Sequence, residues 1–186
     1  MSTPAATIPG YLVGTWDIDP VHSDISIVAR HFVVSKVRGT FTQFSGEIVT
    51  GENPLDSKVS ATIEAGSINT KNDDRDAHIR SADFLDAETH PQITFTSTAL
   101  RAVGDDFELD GDLSVRGITK PVTLTLELGA FGADPYGGQR VGFSARTTLI
   151  RKDFNINFNG LLETGGAVVS DKLEIILDVE AVLRKS

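Results

Sequence analysis

The chain of 186 residues contains no cysteine, one tryptophan and one methionine. Without cysteine there are no disulfides, thiolate metal sites or cysteine nucleophiles. No stretch is apolar for long enough to span a bilayer as a helix, so stable membrane insertion is not expected. The opening segment MSTPAATIPGYLVG lacks the basic start and apolar run of a secretory signal, and a cytoplasmic location is the expectation. Positive charge is in the minority, with 17 Lys and Arg against 26 Asp and Glu and a net charge of -9. That balance argues against a nucleic-acid backbone or an anionic membrane surface as partner. Motifs of common catalytic sites are missing as well, since there is no GxSxG elbow and no HxH or HExxH spacing to aim two imidazoles at one metal.

The titratable groups that remain have ordinary structural explanations. His22, Ser23 and Asp24 stand in a row, but neighbours on a strand point to opposite faces and cannot make a nucleophile-to-base contact. Asp17, Asp19 and His22 could converge at a strand end and hold a divalent ion, although such residues serve more often as turn acceptors. The acidic stretch DDFELDGD does not follow the spacing of a calcium loop and reads as a hairpin with solvated charges. No metal, cofactor or catalytic residue is assigned.

What the sequence does contain is period-2 alternation. In DKLEIILDVEAVLR, Leu173, Ile175, Leu177, Val179, Ala181 and Leu183 share one parity, while Glu174, Asp178, Glu180 and Arg184 take the other. The same pattern recurs in VTLTLELGA, VGFSARTTL, DISIVARHF, KVSATIEA, ITFTST and DFELDGDLSV. With TWDID and GTFTQFSGEIV it predicts about eight antiparallel strands, divided by turn signals at Asn53-Pro54, Gly104-Asp105, Arg116-Gly117 and the DPYGG stretch. One segment breaks the period: TKNDDRDAHIRSADFL predicts a short helix over residues 73–82, capped by Thr70 with Asp73 and too hydrophilic for a core. Arg75, Asp76, His78 and Arg80 of that segment can build a charged network, with Arg75 and Asp76 pairing to loop groups. Length and composition suit one domain, residues 13–186, preceded by a loose arm at 1–12. Alternation fits a barrel or a sandwich, and the small residues Ala29, Ala61, Ala65 and Ala145 among the apolar faces leave either a packed core or room for a ligand. His31 shares the parity of Ile25, Ile27 and Ala29, as a buried imidazole bonded to the wall or as an anchor for a ligand head group.

Taken in order, WDIDPVHSDISIVARHFVVSKVRGTFTQFSGEI, SINTKNDDRDAHIRSADFLDAETHPQITFTST, LDGDLSVRGITKPVTL and DPYGGQRVGFSARTTLIRKDFNI resemble the YceI-like family of polyisoprenoid-binding proteins. RDAHIRSADF, GITKPV and RKDFNI carry the most specificity. The resemblance implies an all-β, extended antiparallel lipocalin-like barrel of about eight strands with one short helix. It also implies an apolar channel for a long-chain lipid, whether a polyisoprenoid, an isoprenoid quinone or a fatty-acid derivative, with no catalytic residue. Matched onto this chain, the wall candidates are Ile25, Ile27, Phe41, Ile63, Phe95, Leu124, Phe143, Ala145 and Ile175, with Phe84 and Phe154 near the mouth and His31 as a polar candidate. Ile27 stands where an aromatic is common, and DFLD at 83–86 replaces the usual DFFD. The expected function is sequestration or carriage of the lipid, as a monomer or homodimer. The rivals are an enzyme using His31 or the group of Asp17, Asp19 and His22 as acid or base, and a stress-response protein whose lipid is incidental.

Overall fold

The computed structural model describes residues 8–31, 35–159 and 169–185. Among them eleven strands and one α-helix follow one another: β1 (Gly14–Ile18), β2 (Asp24–His31), β3 (Ser35–Phe41), β4 (Phe44–Thr50), β5 (Lys58–Glu64), β6 (Ile68–Asn69), α1 (Asp73–Arg80), β7 (Gln92–Val103), β8 (Asp106–Val115), β9 (Ile118–Ala133), β10 (Gln139–Ile150) and β11 (Val169–Leu183). All pairings are antiparallel. β1 pairs with both β4 and β11, which closes β1, β4, β5, β7, β8, β9, β10 and β11 into an eight-stranded barrel. The alternation of the long strands explains the closure: each has one apolar face to bury, and a closed ring leaves no edge unpaired.

The other three strands prolong the ring at one end. β11 is long enough to pair with β1 through Ala181–Leu183 and with β2 through residues 169–178. β3 then pairs with β2, and β6 with β3, so this upper tier ends at a free edge on β6. The alternation runs on through the breaks, and for that reason GTFTQFSGEIV reads as one strand although Thr42 and Gln43 separate β3 from β4.

The helix and the segment after it lie in the gap beside β6, where Ile79, Phe84, Leu85 and Ala87 pack on a cluster with Phe41, Ile68, Ile93, Val115 and Phe154, and arginines tie them in place. Arg80 donates from Nε to the Gly66 carbonyl at 2.8 Å and from Nη2 to the Ile68 carbonyl at 3.3 Å. From the opposite side, Arg116 donates to the carbonyls of Ala82 and Phe84, both at 2.6 Å. Arg116 can do so because it sits in a two-residue hairpin link with Gly117, at φ 54° and 75°, the left-handed pair that a type I′ turn requires. The helix ends at Arg80 rather than at 82, and its cap is Asn72, whose Oδ1 accepts from the Arg75 N–H at 3.0 Å. The expected cap, Thr70, is unavailable because its hydroxyl is committed to Asp76 and Arg75.

At the other end, Trp16, Ile48, Val141 and Ala181 form a packed cluster. Residues 1–7 of the expected arm lie outside the described residues. Beyond them Tyr11 docks on the barrel end, its hydroxyl donating to the Gly51 carbonyl at 2.6 Å and its ring 5.2 Å from that of Phe131.

Candidate functional site

The inward faces of the strands enclose a cavity of about 160 Å³. Ile25, Ile27, Ile63, Phe95, Phe143 and Ile175 point into it and stay only half-buried, because a side chain that borders a void has no partner atoms on that side. Phe41, Leu124, Ala145 and Phe154 belong to the same wall and are buried. Ser45, Thr147 and Arg151 are the polar side chains of the lining, and the rest is hydrocarbon. Gly111 makes room for one part of that wall: a Cβ there would come within 2.4 Å of the Phe95 ring, which lies across the glycine.

Two further cavities extend the first along the barrel. A smaller one of about 80 Å³ toward Tyr11 shares Val59, Leu109, Leu126 and Phe143 with it. A larger one of about 490 Å³ beneath α1 shares Ile27, Leu85, Arg151, Ile156 and Leu173. An apolar void of about 150 Å³ holds a benzene-sized molecule, whereas drug-sized ligands occupy roughly 300–1,000 Å³. The central cavity therefore suits a segment of chain, and a long ligand must also occupy the mouth.

The mouth is where the polar chemistry lies. Asp76 is 4% exposed, and its Oδ1 accepts from the Thr70 N–H at 2.8 Å and from the Thr70 hydroxyl at 2.6 Å. Burial alone would raise the Asp76 carboxyl, but those hydrogen bonds, with Arg80 and Arg75 nearby, outweigh it and hold the group below its ordinary value. Thr70 in turn accepts from Arg75, Nε to the hydroxyl and Nη2 to the carbonyl, each at 2.8 Å. Arg151, 1% exposed, fixes the loop after β10 by donating to the carbonyls of Ile156, Phe158 and Ser170. Burial lowers its pKa, and Asp171 at 3.5 Å opposes the shift. His78, Phe84 and Phe158 stack edge to face, with centroids 4.9–5.4 Å apart, along the lip.

Residues 16–181 match the model of the YceI-like domain. The chain belongs to the YceI-like family. Protein YceI of Escherichia coli strain UMN026 is 41% identical over 170 residues, covering 91% of this chain and 86% of that protein. Among solved structures, BcnA of Burkholderia cenocepacia superimposes with a TM-score of 0.76 at 22% identity, covering 88% of this chain and 98% of that one. A polyisoprenoid binding domain from Saccharophagus degradans gives a TM-score of 0.71 at 16% identity, covering 93% and 100%. Both structures share the fold.

In this YceI-like barrel the expected wall residues fall together. Ile25, Ile27, Phe41, Ile63, Phe95, Leu124, Phe143, Ala145 and Ile175 line the central cavity and Phe84 lines the mouth, whereas Phe154, expected beside Phe84, is buried in the central wall because the turn after β10 folds it inward. The backbone of His31 ends β2, but its side chain lies outside the described residues. Sequence reasoning missed Leu85, Arg151 and Ile156, which come from turns and loops where no periodicity marks an inward side chain. It also passed over Ile93, Leu109 and Leu177 as wall residues, although their parity is readable.

Of the group of Asp17, Asp19 and His22, the last two meet and Asp17 does not join them. Asp17 pairs with Arg184 at 2.5 Å, whereas Asp19 Oδ2 binds His22 Nδ1 at 2.7 Å and Arg140 Nη1 at 2.9 Å. His22 borders an outer groove and not the barrel cavities. Among the described residues no cluster of three or more His, Asp or Glu is placed to hold a metal, and no helix is long and apolar enough to cross a membrane.

Proposed function

We propose that the protein binds a long-chain apolar lipid, a polyisoprenoid, an isoprenoid quinone or a fatty-acid derivative, and sequesters or carries it inside the barrel. The observation that carries this reading is the axial series of cavities, walled by hydrocarbon and widening to about 490 Å³ beneath α1. The similarity in fold to a polyisoprenoid binding domain supports it. Enclosing several hundred Å² of apolar surface at about 25 cal/mol per Å² gives a gross gain on the order of 10 kcal/mol, enough for tight binding after association costs. The reading needs no covalent step and no cofactor.

Mass spectrometry of the organic extract from gently purified protein tests it. A long-chain lipid in near-stoichiometric amount is the expected result. Protein that yields none, and that fails to take up added polyprenol or fatty acid, overturns it. A cytoplasmic site of action belongs to the same proposal, tested by fractionating native cells and sequencing the mature N-terminus.

A further inference from the structure

On the outside of the barrel, the register of β2, β3, β10 and β11 sorts charge by sign along the strands. Toward the Tyr11 end, Asp178 of β11 stands beside Asp24 of β2 on one side and Ser144 of β10 on the other, with Glu127 of β9 next in the row. Glu180 lies one row further, and with Glu127, Asp178 and His22 it rims a groove of about 310 Å³. Toward the α1 end, about 20 Å along β11, the sign reverses. There Arg30 of β2 faces Lys36 of β3, and Lys172 joins them around a second groove of about 350 Å³. Asp171 and Glu174 border that groove too, but Asp171 is already shared by Lys152 at 3.4 Å and Arg151 at 3.5 Å. Arg30, Lys36 and Lys172 have no ion pair among the described residues. Like charges at facing positions on neighbouring strands repel, so each row favours an opposite row laid over it.

A second copy of the same face supplies both rows at once. A two-fold axis that lies between two copies and runs across the strands sets β11 antiparallel on β11 and exchanges the two ends. With that axis between Glu174 and Ile176, Asp178 of each copy comes opposite Lys172 of the other, and Asp24 opposite Arg30. Near the axis the half-buried Ile176 meets Val28, and Glu174 comes beside the exposed Arg146. The surface there is flush, because Ser26 is fully buried under Arg38, which donates to its hydroxyl at 3.1 Å. The parallel arrangement would lay acid on acid and base on base.

We propose that the outer face of β2, β3, β10 and β11 is the interface of an antiparallel, two-fold homodimer. Four strands about 4.8 Å apart and seven residues deep at about 3.4 Å each give about 450 Å² of sheet per copy. That is short of the roughly 800 Å² per partner of a standard interface, so the association is weak and reversible, in the micromolar range. The arrangement points the two α1 ends in opposite directions, and it stands independently of the lipid-binding reading.

Sedimentation equilibrium on the full-length protein, followed by charge exchange, tests it. The wild type should be mainly dimeric at about 100 μM, well above the dissociation constant. Raising salt from about 0.1 M to about 1 M, where the Debye length falls from about 10 Å to about 3 Å, should weaken the dimer several-fold. The variant Asp24→Lys, Asp178→Lys makes both ends basic, and Arg30→Glu, Lys172→Glu makes both ends acidic. Each alone should dimerise about tenfold or more weakly than wild type, because both of its charged rows then meet their own sign. An equimolar mixture of the two should dimerise again, which also shows that both are folded. The single exchanges Asp178→Lys and Lys172→Glu, which leave the contacts of Asp24 intact, decide the matter if either double variant melts early. A wild type that stays monomeric at about 100 μM, leaving the face to solvent or to a different protein, overturns the proposal. So does a dimer indifferent to the exchanges, or a mixture of folded variants that remains monomeric.

Discussion

The two ends of the barrel are closed by different physics. At the Tyr11 end the strands pair all the way round, and Trp16, fully buried, packs edge to face on Phe131 at 5.4 Å while its Nε1 donates to Thr50 Oγ1 at 3.0 Å. At the α1 end the ladder stops at β6, and the opening is filled by an eight-residue helix, whose Arg80 binds the Gly66 and Ile68 carbonyls, and by loops whose carbonyls are bound by Arg116 and Arg151. Both ends bury an apolar cluster, but the one at the α1 end, around Phe41, Ile68, Leu85 and Phe154, borders the cavities and is covered by loops whose carbonyls water can take up when an arginine lets go. On the proposed lipid-binding reading, the Tyr11 end is the firm base and the α1 end the way in.

The largest expected effect breaks that contrast if it fails. Trp16→Ala should remove about 3–5 kcal/mol of stability, a fall in Tm of roughly 10 °C or more for a chain of this size, because the ring is enclosed by Ile48, Val141, Ala181 and Phe131. Phe84→Ala at the lip should cost much less and instead speed the release of bound lipid. Thermal denaturation and lipid dissociation rates measured on both variants decide it; similar melting losses at the two ends would mean that the mouth is as firmly built as the base.

Between the ends, Ala145→Trp probes the cavity itself. Ala145 faces the void together with Phe143, two residues away on β10. A new indole would enter space that lipid occupies, so the variant should fold and carry markedly less lipid. In a close-packed interior the same change typically costs about 1–3 kcal/mol. Melting temperature and extracted lipid, read on the same preparation, separate the two cases.

How far these features can be read from the sequence follows the same division. The long strands β9, β10 and β11 alternate so regularly that their inward faces, and with them Phe143, Ala145, Ile175 and Leu124, are legible residue by residue. The mouth is not. Leu85 and Ile156 reach the cavity from loops, where the side-chain direction depends on tertiary contacts rather than on a period. Thr70 illustrates a second limit: a hydroxyl three residues ahead of an acid has the pattern of a cap, but a buried carboxylate at Asp76 competes for it and wins. The breaks that split the upper tier from the ring leave the alternation intact, so periodicity counts rails and not strands.

Acid should act on the stable half in a predictable direction. Hydrogen bonds from Arg140 and then from His22 bring the Asp19 carboxyl from its ordinary 3.8 down to about 2, with burial opposing. A carboxyl depressed on folding contributes stability that is fully present above its unfolded pKa and is lost as pH falls through the folded value. Asp19→Asn should therefore be less stable than wild type by a constant amount above about pH 5, with the gap shrinking toward pH 2. Melting temperatures of both proteins between pH 7 and pH 2 check the sign; a gap that widened in acid would refute the assignment of Arg140 as the main partner.

The smallest effect sharpens the comparison most finely. Tyr11 contributes to the closed end in two separable ways, through its ring on Phe131 at 5.2 Å and through its hydroxyl on the Gly51 carbonyl at 2.6 Å, with Ser57 Oγ at 3.3 Å. Tyr11→Phe keeps the ring and deletes the hydroxyl, leaving a half-buried carbonyl that water can reach. The loss should be about 0.5–1.5 kcal/mol, the net worth of one hydrogen bond. Tyr11→Ala removes the ring as well and should cost more, since the cavity of about 80 Å³ that Tyr11 borders would open toward solvent. Lipid content should be unchanged in Tyr11→Phe if lipid enters at the far end, as proposed. If that variant instead released its lipid faster than wild type at equal stability, the base would be a second exit and the division of labour between the two ends would fail.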